Sequence, residues 1–267
     1  MDGDRLAVSV DHVLTLAIRA PSVRNSQPWR FRVDGPLVHV YLDPARVGSG
    51  SGADRRDAVL SCGAVLHHLR IALATHGRSA IVRRLPDPAD PAHLATVRPV
   101  RSEPTMTATA LAAVIGSRRS DVRCYRSAPG PPGCSGLLAE RAAAHGGVLR
   151  AAGGEGSEWL TASVRALVGA CDRADLLVLG TPGDDPLSWL RGGEALSSVL
   201  LTAANLGLAC CVLTEPFGDA ALRDRVGAEV LGGSSSAQAI VRIGSCPDET
   251  QPLPPTSRRA LGEVLDR

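Results

Sequence analysis

Residues 63–77 read GAVLHHLRIALATHG, and residues 193–207 read GEALSSVLLTAANLG. Each stretch is apolar on nearly every side and ends at a glycine suited to a left-handed cap, which predicts two buried helices of the same design. A short β-like run follows each helix, at residues 80–82 and at residues 209–213. The parallel indicates duplication of one helix–strand unit, and chance similarity between two Ala/Leu-rich helices is the alternative.

The sequence around these helices predicts a layered α+β protein. Side-chain alternation on both sides of the Asp34-Gly35 turn predicts a hairpin over residues 29–42. Residues 86–107 are rich in Pro, Asp and Arg and are predicted to join the two halves, 1–105 and 106–267. The Gly/Ser tract at 48–52 is predicted to be a flexible surface loop. Further strands are predicted at 174–180 and 237–243, and further helices at 8–19, 107–117, 137–145 and 161–173.

Composition excludes several classes of protein. The 29 basic residues are all arginine and are nearly balanced by 27 acidic ones, so the formal charge is only +2. A general nucleic-acid surface or an anionic-membrane surface is therefore not expected. The first five residues are acidic and polar where a secretory signal needs basic and then apolar residues, and the longest uncharged apolar stretch, 199–213, is too short to span a bilayer. We expect a cytoplasmic protein.

The seven cysteines show neither a disulfide framework nor a zinc-site pattern. Their number is odd, no Cys-x-x-Cys spacing occurs, and two of them, Cys210 and Cys211, are adjacent. They are predicted to be reduced and mostly buried, and no metal ligands are assigned.

The segment PSVRNSQPWRF at residues 21–31 has the composition of a binding loop. It packs small polar side chains between two prolines, after a predicted helix and before a predicted strand. Hydroxyl and amide groups can bond to a planar heterocycle with carbonyl and imide edges, such as an isoalloxazine. The alternative is that these residues only cap the helix and form a turn.

A second polar cluster, SRRSDVRCY at residues 117–125, places three guanidinium groups beside hydroxyl groups. Arginine forms bidentate, charge-assisted bonds to phosphate oxygens, so the cluster is a candidate clamp for a phosphate monoester. The alternative is a solvated helix end. Residues 254–261 could bring a further arginine to the same phosphate or could be a solvated tail, and residues 213–217 form a loop whose backbone amides could face a cofactor.

Taken together, these segments resemble the nitroreductase superfamily, and more closely its fused branch, the Acg family of FMN-binding nitroreductase-like proteins. The most specific match is PSVRNSQPWRF at 21–31, which is similar to the superfamily signature Pro-Ser-x-x-Asn-x-Gln-Pro-Trp-x-Phe. Further matches are SCGAVLHHLRIAL at 61–73, LGTPGDDPLSWLRGGEAL at 179–196 and LLTAANLGLA at 200–209. The resemblance implies a three-layer α/β/α nitroreductase-like fold in which two related halves form an internal pseudo-dimer within one chain.

The resemblance also implies a single FMN site for each chain, because the halves keep complementary remnants. The first half keeps the loop and the second keeps the Arg-Arg-Ser motif. The ring would be approached by Pro21, Ser22, Asn25 and Gln27. The phosphate and ribityl end would be held by Arg118, Arg119 and Ser120, with Arg123 close by and Arg258 or Arg259 completing the clamp. The reactive edge of the flavin would lie near Thr214, Glu215 and Pro216.

The activity implied is FMN-dependent oxidoreduction, with hydride passing from NAD(P)H or another reductant to a small organic acceptor. No catalytic side chain is required, because the flavin carries the chemistry. Two departures from the family favour a rival hypothesis, a non-catalytic flavin-sequestering protein or partner subunit. Val122 stands where the phosphate motif has a further arginine, and the extended lid segment between the phosphate helix and the strand at 174–180 is missing. The chain is expected to be a monomeric pseudo-dimer or a homodimer.

Overall fold

The protein is described by a computed structural model that covers residues 10–126, 130–153, 157–245 and 253–266. The helices are α1 (Val10–Ala17), α2 (Gly52–Ala74), α3 (Met106–Val114), α4 (Cys134–Ala143), α5 (Glu158–Val168), α6 (Pro186–Asn205), α7 (Ala220–Glu229) and α8 (Leu261–Val264). The strands are β1 (Trp29–Asp34), β2 (Leu37–Leu42), β3 (Arg78–Arg84), β4 (His93–Arg101), β5 (Val148–Ala151), β6 (Asp175–Thr181), β7 (Ala209–Leu213), β8 (Ser236–Gly244) and β9 (Leu265–Asp266). Residues 8 and 9 of the first predicted helix lie outside the described residues.

The chain divides into two compact units. Unit 1 comprises Met1–Gly116 together with Ser257–Arg267, and unit 2 comprises Ser117–Thr256. The division therefore falls after the predicted boundary at 105/106, and the C-terminal residues belong to the first unit. The origin of the units by duplication stays a prediction.

Unit 1 is built on a mixed sheet whose described strands lie in the order β3-β4-β2-β1-β9. The predicted hairpin is confirmed: β1 and β2 pair from Trp29↔Leu42 to Asp34↔Leu37, around Gly35 at φ +53°. The C-terminal strand β9 pairs in parallel with β1, Leu265 opposite Phe31. Helix α2 packs against β1, β2, β3 and β4, so the sheet buries one face against helix.

Residues 86–107, which are predicted to join the halves, contain a strand that the sequence did not predict, β4. This strand lies between β3 and β2 and pairs with both. Its outward side chains are polar, so its composition is typical of a linker. Pro99 is tolerated because it lies beyond Val97, the last residue paired with β2, where the missing N–H costs no bond to that neighbour.

Helix α2 begins at Gly52, not near Gly63 as predicted, and the Gly/Ser tract supplies its cap. The Ser51 hydroxyl accepts a hydrogen bond from the Asp54 amide, while hydroxyl bonds from Ser49 and Ser51 lower the pKa of the Asp54 carboxyl to about 2. The early turns carry charged side chains that mask the apolar pattern. Two of these, Arg56 and Asp57, are buried and form an ion pair of 3.0 Å.

By length and composition α2 could cross a membrane, but 89% of its most apolar window is buried within the protein. The core helix of a globular protein can have the same length and apolar composition. The burial accounts for the apolar character of α2 without a bilayer.

Unit 2 has the predicted three-layer α/β/α architecture. Its described strands form an antiparallel sheet in the order β5-β6-β8-β7. Because side chains alternate along a strand, Leu177 and Leu179 of β6 pack with α4 and α6, while Leu176 and Val178 pack on the other face with α5 and α7. Both faces are therefore covered by helices, which explains why β6 and β8 are apolar almost throughout.

The remaining predicted elements of unit 2 are confirmed with shifted ends. Strand β7 has the predicted limits, and α6 begins at Pro186, where the Asp185 carboxylate caps the helix by accepting from the Ser188 amide at 2.9 Å. Helix α5 lies between β5 and β6 and ends at Val168.

The prediction that the cysteines are all reduced is wrong for one pair. Cys124 and Cys171 form a disulfide with a Cα–Cα separation of 6.1 Å. The two residues are distant in sequence and lack a recognisable spacing, so their proximity could not be predicted. Cys62, Cys134, Cys210 and Cys211 are free, and Cys246 lies outside the described residues.

An ion pair is fully buried in unit 2. Arg242 of β8 donates to both carboxylate oxygens of Asp172, at 2.7 and 3.2 Å, and the two side chains are 1% and 2% exposed. Asp172 also accepts from the Tyr125 amide at 2.8 Å, and Arg242 donates to the Arg123 carbonyl at 3.0 Å. The pair therefore fixes the segment that ends the arginine-rich cluster.

Replacing Asp172 by alanine should destabilise the protein strongly, because it leaves a buried guanidinium without its carboxylate. We expect a loss of about 3–5 kcal/mol in the free energy of unfolding, measured by denaturant titration. Glu229→Ala is the control, since its ion pair with Arg225 lies on the surface and should contribute far less. Equal losses in the two variants would contradict the assigned role of the buried pair.

Candidate functional site

The loop at residues 21–31 has an unusual backbone. Arg24, Asn25 and Gln27 have φ values of +51°, +55° and +49°, in the left-handed region that side chains other than glycine rarely adopt. Each such residue costs of order 1 kcal/mol or more and persists only where the surroundings fix it. A short loop with three of them is a candidate functional element.

Helix α2 and the loop itself supply the bonds that fix this backbone. The Val23 amide donates to the Ser61 hydroxyl at 3.1 Å, and the Gln27 amide donates to the Ser22 hydroxyl at 3.0 Å. The Cys62 thiol donates to the Pro28 carbonyl at 3.3 Å. Burial raises the pKa of that thiol, which keeps it a neutral donor.

The amide side chains of the loop bond to the C-terminal segment of unit 1. Asn25 donates to the Ser257 carbonyl and accepts from Arg258, both at 3.2 Å. The Gln27 side chain donates to the Asn25 carbonyl at 3.3 Å and accepts from the Arg259 amide at 2.8 Å. These groups, predicted to face a flavin ring, thus have partners within the unit. The role of Pro21, Ser22, Asn25 and Gln27 at the ring stays a prediction.

Arg258 and Arg259 are held in the same way. Arg258 donates to the Arg19 carbonyl at 3.1 Å, and Arg259 forms an ion pair of 3.3 Å with Asp43. The charge of Arg259 is therefore matched by a carboxylate within unit 1. A contribution of either arginine to a phosphate clamp stays a prediction.

The arginine-rich cluster of unit 2 lies at the edge of the sheet, beside β7. Ser120 pairs with Cys210 as an isolated parallel bridge, and the Asp121 amide donates to the Cys210 carbonyl at 3.0 Å. A cavity of about 280 Å³ lies between the cluster and the turn that joins α6 to β7. Its walls are Ser117, Arg118, Arg119, Asp121, Arg123, Ala204, Gly207, Leu208, Ala209, Cys210 and Leu253.

Arg118 is the candidate anion ligand of this cavity with the fewest partners in the described residues. The residue is 7% exposed, its Nη1 donates to the Ser120 hydroxyl at 3.4 Å, and its Nε has no acceptor. Within the described ranges no carboxylate is bonded to it. Burial lowers the pKa of Arg118, and the neighbouring charge of Arg119 lowers it further. A buried cation without a counter-charge is costly, so an anion in the cavity would be bound favourably.

The other two arginines of the cluster differ from Arg118. Arg119 donates to the Leu253 carbonyl at 3.3 Å and to the Arg118 carbonyl at 3.0 Å. Arg123 donates to both carboxylate oxygens of Asp121, at 2.6 and 3.0 Å, so its charge is already matched. The three guanidinium groups of the predicted clamp are therefore not equivalent, because Asp121 already neutralises the charge of Arg123.

Val122, the position at which the family has a further arginine, is 71% exposed and does not line the cavity. Its side chain is on the outside of the segment.

The loop after β7 is also engaged locally. Thr214 is buried, and its amide donates to the Glu215 carboxylate at 3.2 Å. Glu215 and Pro216 begin a 3-10 turn that buries Phe217 in the core. The Thr214 amide thus has a partner, and the predicted placement of Thr214, Glu215 and Pro216 near the flavin edge stays a prediction.

Sequence reasoning missed the residues that hold the candidate ligands in place. Asp121 was visible as a carboxylate two positions before Arg123, a spacing that permits a local ion pair. Arg242 stands alone as a charge in the apolar strand AQAIVRI, which is a signal for a buried partner. Ser61 and Asp43 gave no comparable signal.

Comparisons with known proteins agree with this fold. No family model matches the chain. A Mycobacterium tuberculosis protein whose name describes it as an NAD(P)H nitroreductase is 38% identical, over 97% of this chain and 92% of its own length. A second M. tuberculosis protein, described as the NAD(P)H nitroreductase Acg, is 33% identical over 96% of this chain and 95% of its own. The first alignment extends over 315 positions, more than the 267 residues of this chain, so that relative contains segments that this chain lacks.

The fold is also found among solved structures. A crystal structure from Anabaena variabilis, described as that of a nitroreductase, superposes with a TM-score of 0.55 at 12% identity and covers 79% of this chain and 69% of its own. At that identity the likeness concerns the fold alone. The similarity to the two mycobacterial proteins extends over nearly the whole chain, and the chain therefore belongs to the nitroreductase superfamily, in its Acg-type branch.

Proposed function

We propose that this protein is an FMN-dependent oxidoreductase that passes electrons from NAD(P)H, or another reductant, to a small organic acceptor such as a nitroaromatic compound or a quinone. The observation that carries the proposal is the buried Arg118, whose Nε has no acceptor and whose side chain lines a cavity at the sheet edge. Relatives described as NAD(P)H nitroreductases support the choice of reaction class. The flavin, when bound, supplies the hydride chemistry.

The residues of the cavity fit the phosphate end of FMN. A phosphate monoester presents several acceptor oxygens, and the Arg118 guanidinium offers donors on one wall of the cavity. The Ser120 hydroxyl accepts from Arg118 Nη1 and so helps to orient that guanidinium. The cavity volume of about 280 Å³ lies just below the range of sites that enclose a whole ligand, roughly 300–1,000 Å³. We therefore assign to it the phosphate and ribityl portion only.

The assignment distinguishes two kinds of arginine. Arg118 would contact the phosphate directly, because its charge is not matched. Arg123 would act through Asp121: their ion pair is already formed and orders the segment between Ser120 and Tyr125. The ring-facing roles of Pro21, Ser22, Asn25 and Gln27 belong to the same proposal and rest on the loop signature.

A second candidate function is a non-catalytic protein that sequesters flavin or serves as a partner subunit. Two observations favour it. The chain lacks segments that its mycobacterial relative contains, and the guanidinium of Arg123 is bonded to Asp121. Multiple-turnover reduction of a nitro compound would exclude this candidate.

Incubation with FMN followed by gel filtration should give a yellow protein with one FMN for each chain. NAD(P)H should then bleach the flavin absorption, because the proposed function requires hydride transfer from a nicotinamide donor; dithionite serves as the control reductant. A protein that stays colourless and shows no thermal shift with FMN would remove the proposal. Flavin that dithionite reduces but NAD(P)H does not would favour the non-catalytic candidate.

Replacing Arg118 by methionine should weaken the binding of FMN by roughly one to two decades, which corresponds to the loss of a charge-assisted bond of about 1.5–3 kcal/mol. Binding is measured by quenching of flavin fluorescence, and inorganic phosphate is tested in parallel by thermal shift. Methionine has a similar length and can be buried, so folding should be preserved. The affinity of Arg118→Lys for FMN should lie between those of the unaltered protein and Arg118→Met, because lysine keeps the charge and loses the bidentate geometry.

Arg225→Met is the matched control, since Arg225 is exposed and bonded to Glu229. It should bind FMN as the unaltered protein does. If folded Arg118→Met bound FMN as tightly as this control, the phosphate would have to lie elsewhere.

A further inference from the structure

The outer face of the unit 1 sheet carries a cluster of polar and aromatic side chains away from the arginine-rich cavity. His39 and Tyr41 lie on β2, and His93 and Thr96 lie on β4. All four are half-buried, so they are accessible from solvent. Nothing in the proposed flavin chemistry uses them.

A β-bulge brings His93 and Thr96 to this face together. The register shifts between Val40, which pairs with Ala95, and Tyr41, which pairs with His93. In a regular strand, residues three apart point to opposite faces. Here Leu94 and Ala95 are both buried, and the residues that flank them both point outward. Bulges re-aim side chains in this way and recur beside functional sites.

Three potential ligand atoms converge as a result. His39 Nδ1 and His93 Nε2 are 3.1 Å apart, and Thr96 Oγ1 lies 3.2 Å from the first and 3.1 Å from the second. The Tyr41 ring stacks on His93, with centroids 4.4 Å apart and an interplanar angle of 20°, which limits rotation of that imidazole. The two nitrogens are within hydrogen-bonding distance of each other, and a metal ion would take the place of the proton that they share.

We propose that His39 and His93 form a binding site for a divalent transition-metal ion such as Zn²⁺ or Ni²⁺. An ion at the usual 2.0–2.1 Å from each nitrogen would subtend about 100° between them, between the octahedral and tetrahedral angles. Imidazole nitrogen suits Zn²⁺ and Ni²⁺, whereas Mg²⁺ and Ca²⁺ prefer oxygen ligands. Among the described residues no third His, Cys, Asp or Glu joins the pair, so water completes the coordination shell.

The charged neighbours of the cluster give no strong preference for cations. Asp87 and Asp90 precede β4 and act electrostatically on His93, whereas Arg32 pairs opposite His39 and Arg83 opposite Thr96. Opposite charges thus flank the pair on both sides. Affinity must then come from the two nitrogens themselves, which distinguishes this site from a general cation surface.

Isothermal titration calorimetry of the untagged full chain with Zn²⁺ and Ni²⁺ at neutral pH tests the proposal. We expect one binding event in the unaltered protein. In His39→Ala and in His93→Ala the affinity should fall by at least roughly 10–100-fold, the loss that is typical when only an outer-shell partner of a metal is removed. Mg²⁺ should give no heat at this site. His93→Gln retains a polar side chain of similar reach and should lose binding as the alanine variant does. A thermal melt of each variant distinguishes loss of the ligand from loss of folding.

His76→Ala is the matched control. His76 lies outside the cluster of His39 and His93 and packs edge-to-face against His12, with ring centroids 5.3 Å apart. This variant should bind metal as the unaltered protein does. Unchanged binding in both His39→Ala and His93→Ala, or absence of any binding event in the unaltered chain, would overturn the proposal. FMN binding should be unaffected in every variant, which separates this outcome from that of the flavin proposal.

Discussion

The buried ion pair between Asp172 and Arg242 is the interaction on which the arrangement of the arginine-rich cluster depends. Arg242 lies in β8, in the middle of the unit 2 sheet, and Asp172 lies just before β6. The pair bonds to the Tyr125 amide and the Arg123 carbonyl, so it ties the end of the cluster to an interior strand of the sheet. The attachment of Ser120 and Asp121 to Cys210 fixes the other end. The segment from Ser120 to Tyr125 is thus held at both ends, and Arg118 lies two residues before the first anchor, in the cavity wall.

A comparable constraint operates in unit 1. The loop at residues 21–31 adopts three left-handed residues, and its strain is offset by bonds from α2 and from the C-terminal segment. Gln27 is central because its side chain joins the loop to Arg259, and Arg259 joins both to Asp43. Residues that are more than two hundred positions apart in sequence are thereby combined into one local structure. The polar composition of the loop is explained by this packing as well as by any ligand.

Much of the fold could be predicted from side-chain periodicity. The hairpin of β1 and β2 alternates cleanly, and β6 and β8 are apolar because helices cover both faces of their sheet. The start of α2 was missed because its early turns contain a buried ion pair, Arg56 with Asp57. Strand β4 was missed because one of its faces is outward and carries polar residues. Periodicity records burial, and a buried charge with a neighbouring partner breaks the pattern without breaking the helix.

The candidate ligands could be predicted in part, since residue type identifies which side chains are able to bind phosphate. Their availability could not, because it depends on partners brought near by folding. Arg258 and Arg259 have acceptors in unit 1, and the disulfide of Cys124 with Cys171 joins residues with no sequence signal. The histidine pair of unit 1 was missed for a related reason. Its second member lies in the strand that was interpreted as a linker, and the bulge that aligns the pair leaves no mark in the sequence.

Arg118 and Arg123 show how one motif acquires two roles. Both line the same cavity and both carry the same group, yet an incoming anion would have to displace the Asp121 carboxylate to reach Arg123, while it would find Arg118 without a matched charge. Displacing a formed, charge-assisted ion pair costs about as much as a new one contributes, so Arg123 adds little net affinity. In the proposed phosphate site, Arg118 would therefore contribute more to anion binding than Arg123, and the carboxylate of Asp121 keeps Arg123 in place.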